Sequence, residues 1–308
     1  MRTHVIKGPR CEGPALSPLG GVWLPGRGPL SVGAPTVTYM TLLSFDRRCS
    51  EIVAQTQLLR GAIEGADLTR PVPTCPGWNV GQLLRHLGGT HRWAEELVRT
   101  RATEALPDEH FRDLSPYAEE DAAELAPWLV EGAQLLADTL REAGPEARLW
   151  TPVPDFGQVA GGRADFYARR FTHETAVHRA DAVLALGDEY TLDQEVALDG
   201  FDEWLALGSL PMHFEVHPWM RELLGPGRTL HFHATDTAPE VAAEWVVDLT
   251  GDAITWRRAH EKAAVAVRGP LTDLLLIIYK RRPARGAGVE ILGDEKLLDF
   301  WLERVSFG

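Results

Sequence analysis

The segment 164–186 reads ADFYARRFTHETAVHRADAVLAL and is followed by Gly187. Its apolar residues recur with the period of an α-helix, and a glycine directly after the last turn is a common helix C-cap. The central HETAVH resembles the zinc-protease motif H-E-x-x-H but is one residue longer. His173 and His178 are therefore five positions apart, which is about 140° around a helix, so they cannot share one ion. We reject the zinc-protease interpretation.

Glu174 and His178 are four positions apart, so their side chains lie on one face of this helix. Extending that face along the helix adds further residues within an arc of roughly 100°, namely Tyr167, Arg170, Phe171, Asp181 and Ala185. Two interpretations of this polar stripe remain open. It is either a solvated face with an Arg170–Glu174 pair, or an interior face that supplies metal ligands. Asp181 is either an acceptor that orients a histidine or a charge at the helix surface.

A second helix, predicted over 80–101, supplies another candidate ligand. Asn79 is a suitable N-cap, and Gln82 three residues later completes a capping box. His86 lies at the edge of the apolar arc of this helix, and His91 lies about 140° away from it. A lone helical histidine is commonly a satisfied core residue. However, His86 together with Glu174 and His178 would form a set of two nitrogens and one oxygen, which is typical of a catalytic zinc site with an open fourth position.

Four amphipathic helices are predicted in the first half of the chain, at 42–63, 80–101, 119–143 and 164–186, with Pro127 as a potential break in the third. A proline- and glycine-rich loop spans 144–162. Four such helices favour a four-helix bundle, which we place at 41–188. Residues 1–40 are rich in glycine and proline and nearly lack acidic residues. We interpret them as a disordered leader or as a wrongly assigned start that precedes Met40.

The hydrophobic period changes from 3.6 to 2 in the last third of the chain. After a helical and loop connection at 189–228, strands are predicted at 229–235, 243–249, 253–258, 263–268 and 288–292, with helices at 271–280 and 295–305. A tight hairpin turn is predicted at Thr250-Gly251-Asp252. Residues 229–308 thus form a small α+β domain of different architecture, and the whole chain belongs to the α+β class.

Charge and composition restrict the partners. The formal net charge is −13, with 44 acidic and 31 basic residues, so we expect neither nucleic acid nor an anionic membrane surface as a partner. No stretch of 18 apolar residues occurs, and no signal peptide is recognisable. The three cysteines are widely spaced, which suits a reducing compartment. We expect a cytoplasmic protein.

Several motifs together resemble the mycothiol-dependent maleylpyruvate isomerase family, part of the DinB-like superfamily. They are TCPGWNV at 74–80, LLRHLGG at 83–89, HRWA at 91–94, HETAVHRAD at 173–181, HFHATD at 231–236, DLTGD at 248–252 and VRGP at 267–270. The resemblance covers about residues 42–306. It implies a DinB-like metal-binding four-helix bundle followed by a small C-terminal domain with a sterol-carrier-like α/β fold.

The resemblance also implies a site. It implies zinc held by His86, Glu174 and His178, with the thiol mycothiol as cosubstrate. It further implies that an arginine of the C-terminal domain reaches the site, for which Arg281 and Arg282 are the candidates. The alternative for both arginines is that they neutralise a helix C-terminus. His231 and His233 point to one side of a strand and are weaker candidates for a second metal.

The function implied is a zinc-dependent enzyme that activates mycothiol as a metal-bound thiolate, for transfer to a small electrophile or for isomerisation of one. We rank general thiol transfer or detoxification above the isomerisation of maleylpyruvate itself. The alternative is a non-enzymatic protein with a structural metal or a bound small molecule. The donor set also suits nickel or iron. The second substrate and the oligomeric state are not determined by the sequence.

Overall fold

The computed structural model describes residues 43–108, 114, 121–286 and 288–305. The leader 1–40 lies outside the described residues. Four long helices form the first half of the described chain: α1 (Phe45–Ala62), α2 (Val80–Thr100), α3 (Ala122–Ala143) and α4 (Ala164–Leu186). Helix α1 packs against α3 and α4, and α2 packs against the same two helices. The predicted bundle is therefore present.

The ends of these helices follow from local signals. The Asn79 side chain accepts a hydrogen bond from the backbone of Gln82, and the Gln82 side chain accepts one from the backbone of Asn79, so the predicted capping box forms. Gly187 ends α4 with a φ of 89°, a left-handed conformation that glycine adopts without steric cost. Pro127 lies inside α3 and does not break it.

Helix α4 lies in the middle of the molecule, because α1, α2, α3 and α5 (Gln194–Gly208) all contact it. Most of its residues are buried, including every polar member of the stripe that the sequence singles out. The interpretation of this stripe as a solvated face is therefore wrong. Its polar side chains must find partners inside the protein, since a buried charge without one is costly.

Two regions differ from the sequence interpretation. The predicted loop 144–162 contains a short antiparallel hairpin, β1 (Asp155–Phe156) with β2 (Val159–Ala160). The predicted loop after α5 contains the short helix α6 (His213–Val216) and a 3₁₀ helix at Pro218–Leu223. Both regions are rich in proline and glycine, so their short elements depend on packing against neighbours more than on any periodic pattern.

A five-stranded sheet forms the C-terminal part. Its strands are β3 (Thr229–Ala234), β4 (Glu244–Asp248), β5 (Thr255–Arg258), β6 (Val265–Gly269) and β7 (Glu290–Gly293). Their order is β5-β4-β3-β6-β7, and only the β3–β6 pair is parallel. Helices α7 (Leu271–Ile278) and α8 (Glu295–Arg304) contribute to one hydrophobic core with the sheet. The predicted α+β class, with a helical bundle before a sheet domain, is confirmed.

Helix α5 joins the two parts. Its apolar residues, among them Phe201 and Trp204, belong to the same core as the sheet, and Val177 of α4 belongs to it as well. The Phe201 ring stacks on Trp245 of β4 with centroids 4.0 Å apart. The bundle and the sheet therefore share apolar packing through α4 and α5. None of the described helices is long and apolar enough to cross a membrane.

Candidate metal centre

Three buried side chains from two helices converge at the centre of the bundle. His86 comes from α2, and Glu174 and His178 come from α4; one potential ligand atom of each lies within 4.8 Å of the others. Oε1 of Glu174 lies 3.1 Å from Nε2 of His178 and 3.8 Å from Nε2 of His86. The two imidazole rings are nearly perpendicular, with centroids 5.2 Å apart. The three residues selected from the sequence are thus brought together.

Asp181 contacts the nitrogen of His178 that faces away from the other two candidate ligands. Its Oδ2 lies 2.9 Å from Nδ1 of His178, and the carboxylate is fully buried. The interpretation of Asp181 as a surface charge is therefore wrong. Arg281 donates to both oxygens of this carboxylate, at 2.9 and 3.1 Å, and Thr74 donates to Oδ1 at 2.6 Å. These contacts keep Asp181 charged, so that it accepts a hydrogen bond from Nδ1–H of His178.

Glu174 is also held in place by a charged partner, which binds the carboxylate oxygen that faces away from the two histidines. Nη2 of Arg170 donates to its Oε2 at 3.3 Å, and Nη1 of the same guanidinium pairs with Glu203 of α5. Both acidic residues and the arginine are buried. Around the three candidate ligands, three carboxylates therefore face two guanidinium groups, which leaves an excess of one negative charge. Such a buried excess favours a cation.

Each of the two nitrogens of the His178 ring faces a carboxylate. Since Nδ1 donates to Asp181, a neutral His178 would turn the lone pair of Nε2 towards the Glu174 carboxylate, and two acceptors would face each other. A proton or a metal ion between them removes this conflict. Burial alone would lower the pKa of His178, but Glu174 and Asp181 raise it to about 9. Burial raises the pKa of Glu174, but His178, His86 and Arg170 hold it well below its usual range.

The other two helical histidines face different partners. Nε2 of His173 lies 2.7 Å from Asp199 of α5, which agrees with its exclusion from the ligand set. Nε2 of His91 lies 2.9 Å from the hydroxyl of Thr175. Burial lowers the pKa of His91 to about 3, with Arg92 acting in the same direction, so His91 is neutral. Neither histidine belongs to the cluster of three ligands.

The two candidate arginines behave differently. Arg281 is buried and contacts the cluster through Asp181, while its Nη1 donates to the backbone oxygen of Tyr279. Arg282 turns away and pairs with Asp273 of α7, with more than a third of its side chain exposed. The structure therefore brings Arg281, and not Arg282, to the back of the site.

Some residues around the site carried no sequence signal. Glu203 lies on a predicted helix without a motif, and only the packing of α5 against α4 brings it to Arg170. The Trp78 ring lies beside that of His86, tilted by 47°, with ring centroids 4.9 Å apart. Trp78 and Thr74 lie in the TCPGWNV motif, which did point to this loop, but their roles depend on how the loop folds back on α4.

Two family models match the chain and together span most of it. The mycothiol maleylpyruvate isomerase N-terminal domain matches residues 49–183, and the MDMPI C-terminal domain matches residues 195–300. The chain belongs to the mycothiol-dependent maleylpyruvate isomerase family. This family consists of enzymes, and the two matches confirm the resemblance seen in the motifs of the chain. The second match begins in the first turn of α5 and so includes this helix, which agrees with its packing in the core of the sheet.

Solved structures of this family show the same fold. The crystal structure of the mycothiol-dependent maleylpyruvate isomerase is 14% identical with a TM-score of 0.52, and covers 81% of this chain and 93% of its own. A histidine-to-alanine mutant of that isomerase is 15% identical, with the same TM-score and coverage. At this identity the likeness shows the fold alone. No curated protein matches the sequence.

Proposed function

We propose that the chain is a zinc-dependent enzyme that uses a low-molecular-weight thiol, mycothiol, on a small electrophilic substrate. The observation that carries this proposal is the convergence of His86, Glu174 and His178, with ligand atoms within 4.8 Å, inside a member of this enzyme family. Two imidazole nitrogens and one carboxylate oxygen are a common donor set for catalytic zinc, with a fourth position left for a substrate.

The surrounding residues fit the ion. Asp181 accepts a hydrogen bond from Nδ1–H of His178 and so directs the Nε2 lone pair towards the centre of the cluster. Arg170 binds the outer oxygen of Glu174 and leaves Oε1 facing the two histidines. Arg281 keeps Asp181 charged, and we assign it as a positioning residue rather than one that touches substrate. A zinc ion bound here would lower the pKa of a coordinating thiol, so that the thiol reacts as a thiolate.

The thiolate sulfur would add to an electrophilic carbon of a conjugated double bond in the second substrate, and the π electrons of that bond would move into the adjoining carbonyl group. If that carbon–sulfur bond breaks again after rotation about a neighbouring carbon–carbon bond, the outcome is isomerisation. If the bond persists, because a proton adds to the neighbouring carbon or, with an alkylating substrate, a leaving group departs with its electron pair, the outcome is thiol transfer. The family name favours the first outcome, whereas the residues around His86 and His178 are compatible with both.

Metal analysis of variants tests the site. We expect His86→Ala and His178→Gln each to lose one equivalent of zinc relative to the wild type. The matched control is His173→Gln, because His173 is also buried on α4 and also paired with an aspartate. The control should keep its zinc. If wild type purifies and reconstitutes without metal at this site, or if both ligand variants keep full stoichiometry, the proposal is wrong.

Incubation with substrates tests the reaction. The zinc-loaded protein is mixed with mycothiol and either maleylpyruvate or a small alkylating electrophile, and absorbance and product mass are followed. Thiol-dependent formation of the trans isomer identifies an isomerase, and accumulation of a thioether identifies a transferase. His178→Gln should lose at least about 100-fold in kcat/KM, which equals ~2.7 kcal/mol of lost transition-state stabilisation. A fully loaded protein inactive with both electrophiles would leave the metal site standing and contradict the thiol chemistry tested.

A further inference from the structure

A second group of metal-binding side chains lies on the sheet. The alternation of β3 places His231 and His233 on one face, while Leu230, Phe232 and Ala234 are buried in the core of the C-terminal part. Glu244 of β4 is the direct cross-strand partner of His233, so its side chain lies on the same face. The two histidines and the glutamate are therefore neighbours by register.

The fourth member comes from a connection that crosses the sheet. Since the strand order is β5-β4-β3-β6, the six residues 259–264 must pass β4 and β3 to join β5 to β6. Three strand spacings of about 4.8 Å make this a path of roughly 14 Å. His260 lies in this connection, and its Nδ1 lies 2.7 Å from Oε2 of Glu244. The topology thus brings His260 to the face that carries His231 and His233.

The four side chains converge on one point. Nε2 of His231 lies 2.8 Å from Oε2 of Glu244, and Nδ1 of His233 lies 3.0 Å from the same oxygen. One potential ligand atom of each residue lies within 4.8 Å of the other three. The ring centroids of the three histidines form a nearly equilateral triangle, with sides of 5.9, 5.9 and 6.0 Å.

Hydrogen bonding accounts for one of these close contacts, that of His260 with Glu244, but not for the arrangement as a whole. Three imidazole nitrogens surround a single carboxylate oxygen, and the buried Nε2 of His231 makes no hydrogen bond within the described part of the chain. It is 2.8 Å from Oε2, but the alignment is not that of a hydrogen bond. An unpartnered buried nitrogen needs an explanation, and a role as a metal ligand is one.

The donor chemistry narrows the ion. Neutral imidazoles suit zinc, copper, iron and nickel, whereas calcium and magnesium take mainly oxygen ligands. At a tetrahedral zinc with bonds of about 2.0–2.1 Å, the ligand atoms are about 3.3 Å apart. The observed separations from the glutamate oxygen are a few tenths of an ångström shorter. Small rotations are enough to reach the larger value, because the side chain of His260 is 79% exposed and that of Glu244 is 20% exposed. The exposed side of His260 also gives an ion a path from solvent.

From this geometry we infer that His231, His233, Glu244 and His260 bind a second transition-metal ion of the zinc class. Four protein ligands complete a tetrahedral shell, so the ion is structural rather than catalytic. It ties the connection 259–264 to β3 and β4, next to the sheet edge formed by β5. The site shares no residue with the cluster of His86, Glu174 and His178.

The experiment counts metal equivalents in protein from which any affinity tag has been removed. His178→Gln serves as the background, because it disables the first site. In this background we expect one tightly bound equivalent of Zn²⁺, and with Co²⁺ the strong visible absorption of a tetrahedral ion. Adding His260→Ala or Glu244→Gln should weaken binding of that equivalent more than about 100-fold, beyond the 10–100-fold typical of residues that only support a ligand. His260→Ala removes an exposed side chain and should leave folding intact.

Matched controls are His217→Ala, a histidine outside the cluster, and Glu261→Gln, an exposed acid beside His260 that pairs with Arg257. Both should keep the second equivalent. The inference is wrong if the His178→Gln protein binds no zinc, or if His260→Ala and Glu244→Gln bind it as tightly as their background. Loss of metal only in His86→Ala and His178→Gln would support the proposed function alone. If His260→Ala and Glu244→Gln lower the zinc content but His86→Ala and His178→Gln do not, the result supports this site alone.

Discussion

At the scale of single residues, the candidate metal centre depends on which proton each histidine carries. Nδ1–H of His178 must donate a hydrogen bond to Asp181 if Nε2 is to bind a cation next to Glu174. His91 shows the opposite environment. The Thr175 hydroxyl donates to the backbone oxygen of Phe171, so Nε2 of His91 is the donor to Thr175, and burial keeps the ring neutral by lowering its pKa. One helix pair thus holds one histidine that favours a positive charge and one that resists it.

The neutral state of His91 predicts a pH-dependent stability. Its pKa is about 3 in the folded protein, because burial penalises the charged ring, and Arg92 adds to this. The unfolded chain has a histidine pKa of about 6.5 and binds the proton first, so stability falls as pH falls below 6.5. Between pH 7 and pH 5 this difference in pKa lowers the free energy of unfolding by about 2 kcal/mol. In urea unfolding with chelator, His91→Gln should lose about 2 kcal/mol less than wild type over this range. Equal losses would contradict the assignment.

At the scale of elements, the close approach of α2 and α3 sets the position of His86. A Cβ added at Gly88 would lie 2.1 Å from a ring carbon of Trp128, so only glycine fits there. The Trp128 ring also carries the guanidinium groups of Arg85 and Arg92, at 4.4 and 4.1 Å from its centroid. These contacts hold α2 against α3 and thereby fix which face of α2 points at α4.

A matched pair of glycine substitutions tests this contact. Gly88→Ala should destabilise the protein by about 1–3 kcal/mol, because the rigid ring cannot give way to the methyl group. Gly61→Ala, on an exposed turn of α1 with nothing within 4 Å of the added Cβ, should instead stabilise by about 0.5–1 kcal/mol. Thermal or urea unfolding of the two variants measures both changes in the free energy of unfolding, which should have opposite signs. A stabilising Gly88→Ala would show that the two helices are not in tight contact.

The elements also show which structural features a sequence can predict. The end of α4 at Gly187 and the capping box of α2 were predicted correctly, because both depend on residues that are neighbours in the sequence. The elements at His213–Val216 and Pro218–Leu223 were not predicted. They are too short for a period to be recognised, and they form where the chain packs against the core of the sheet.

At the scale of the whole molecule, residues beyond the bundle supply charged partners to the candidate metal centre. Arg281 follows α7 and reaches Asp181 on α4, and Glu203 of α5 reaches Arg170 on α4. Both ion pairs are buried. A buried pair adds little net stability compared with apolar packing, but removing one partner leaves a charge without compensation. The domain limits at 188 and 229 stay a prediction. Helix α5 lies in the predicted connection between them and packs in the core of the sheet.

Adjacent arginines provide the test of this connection. Arg281→Met should destabilise the protein by about 3–5 kcal/mol and weaken zinc binding 10–100-fold, because it leaves Asp181 unpaired behind His178. Arg282→Met, which removes a partly exposed pair with Asp273, should change stability by less than about 1 kcal/mol. The double variant Asp181→Asn/Arg281→Met should be less unstable than the sum of its single variants. Equal effects of the two arginine variants would contradict the positioning role of Arg281.

The sequence by itself determined what depends on spacing within one helix. It placed Glu174 and His178 on one face and excluded His173 from their cluster, because helical geometry relates residues four and five positions apart in a known way. Only the tertiary structure decided that this face points inward, that His86 meets it, and that Arg281 rather than Arg282 contacts Asp181. These outcomes depend on how separate elements pack and on where side chains turn beyond a helix end. No local period specifies either of them.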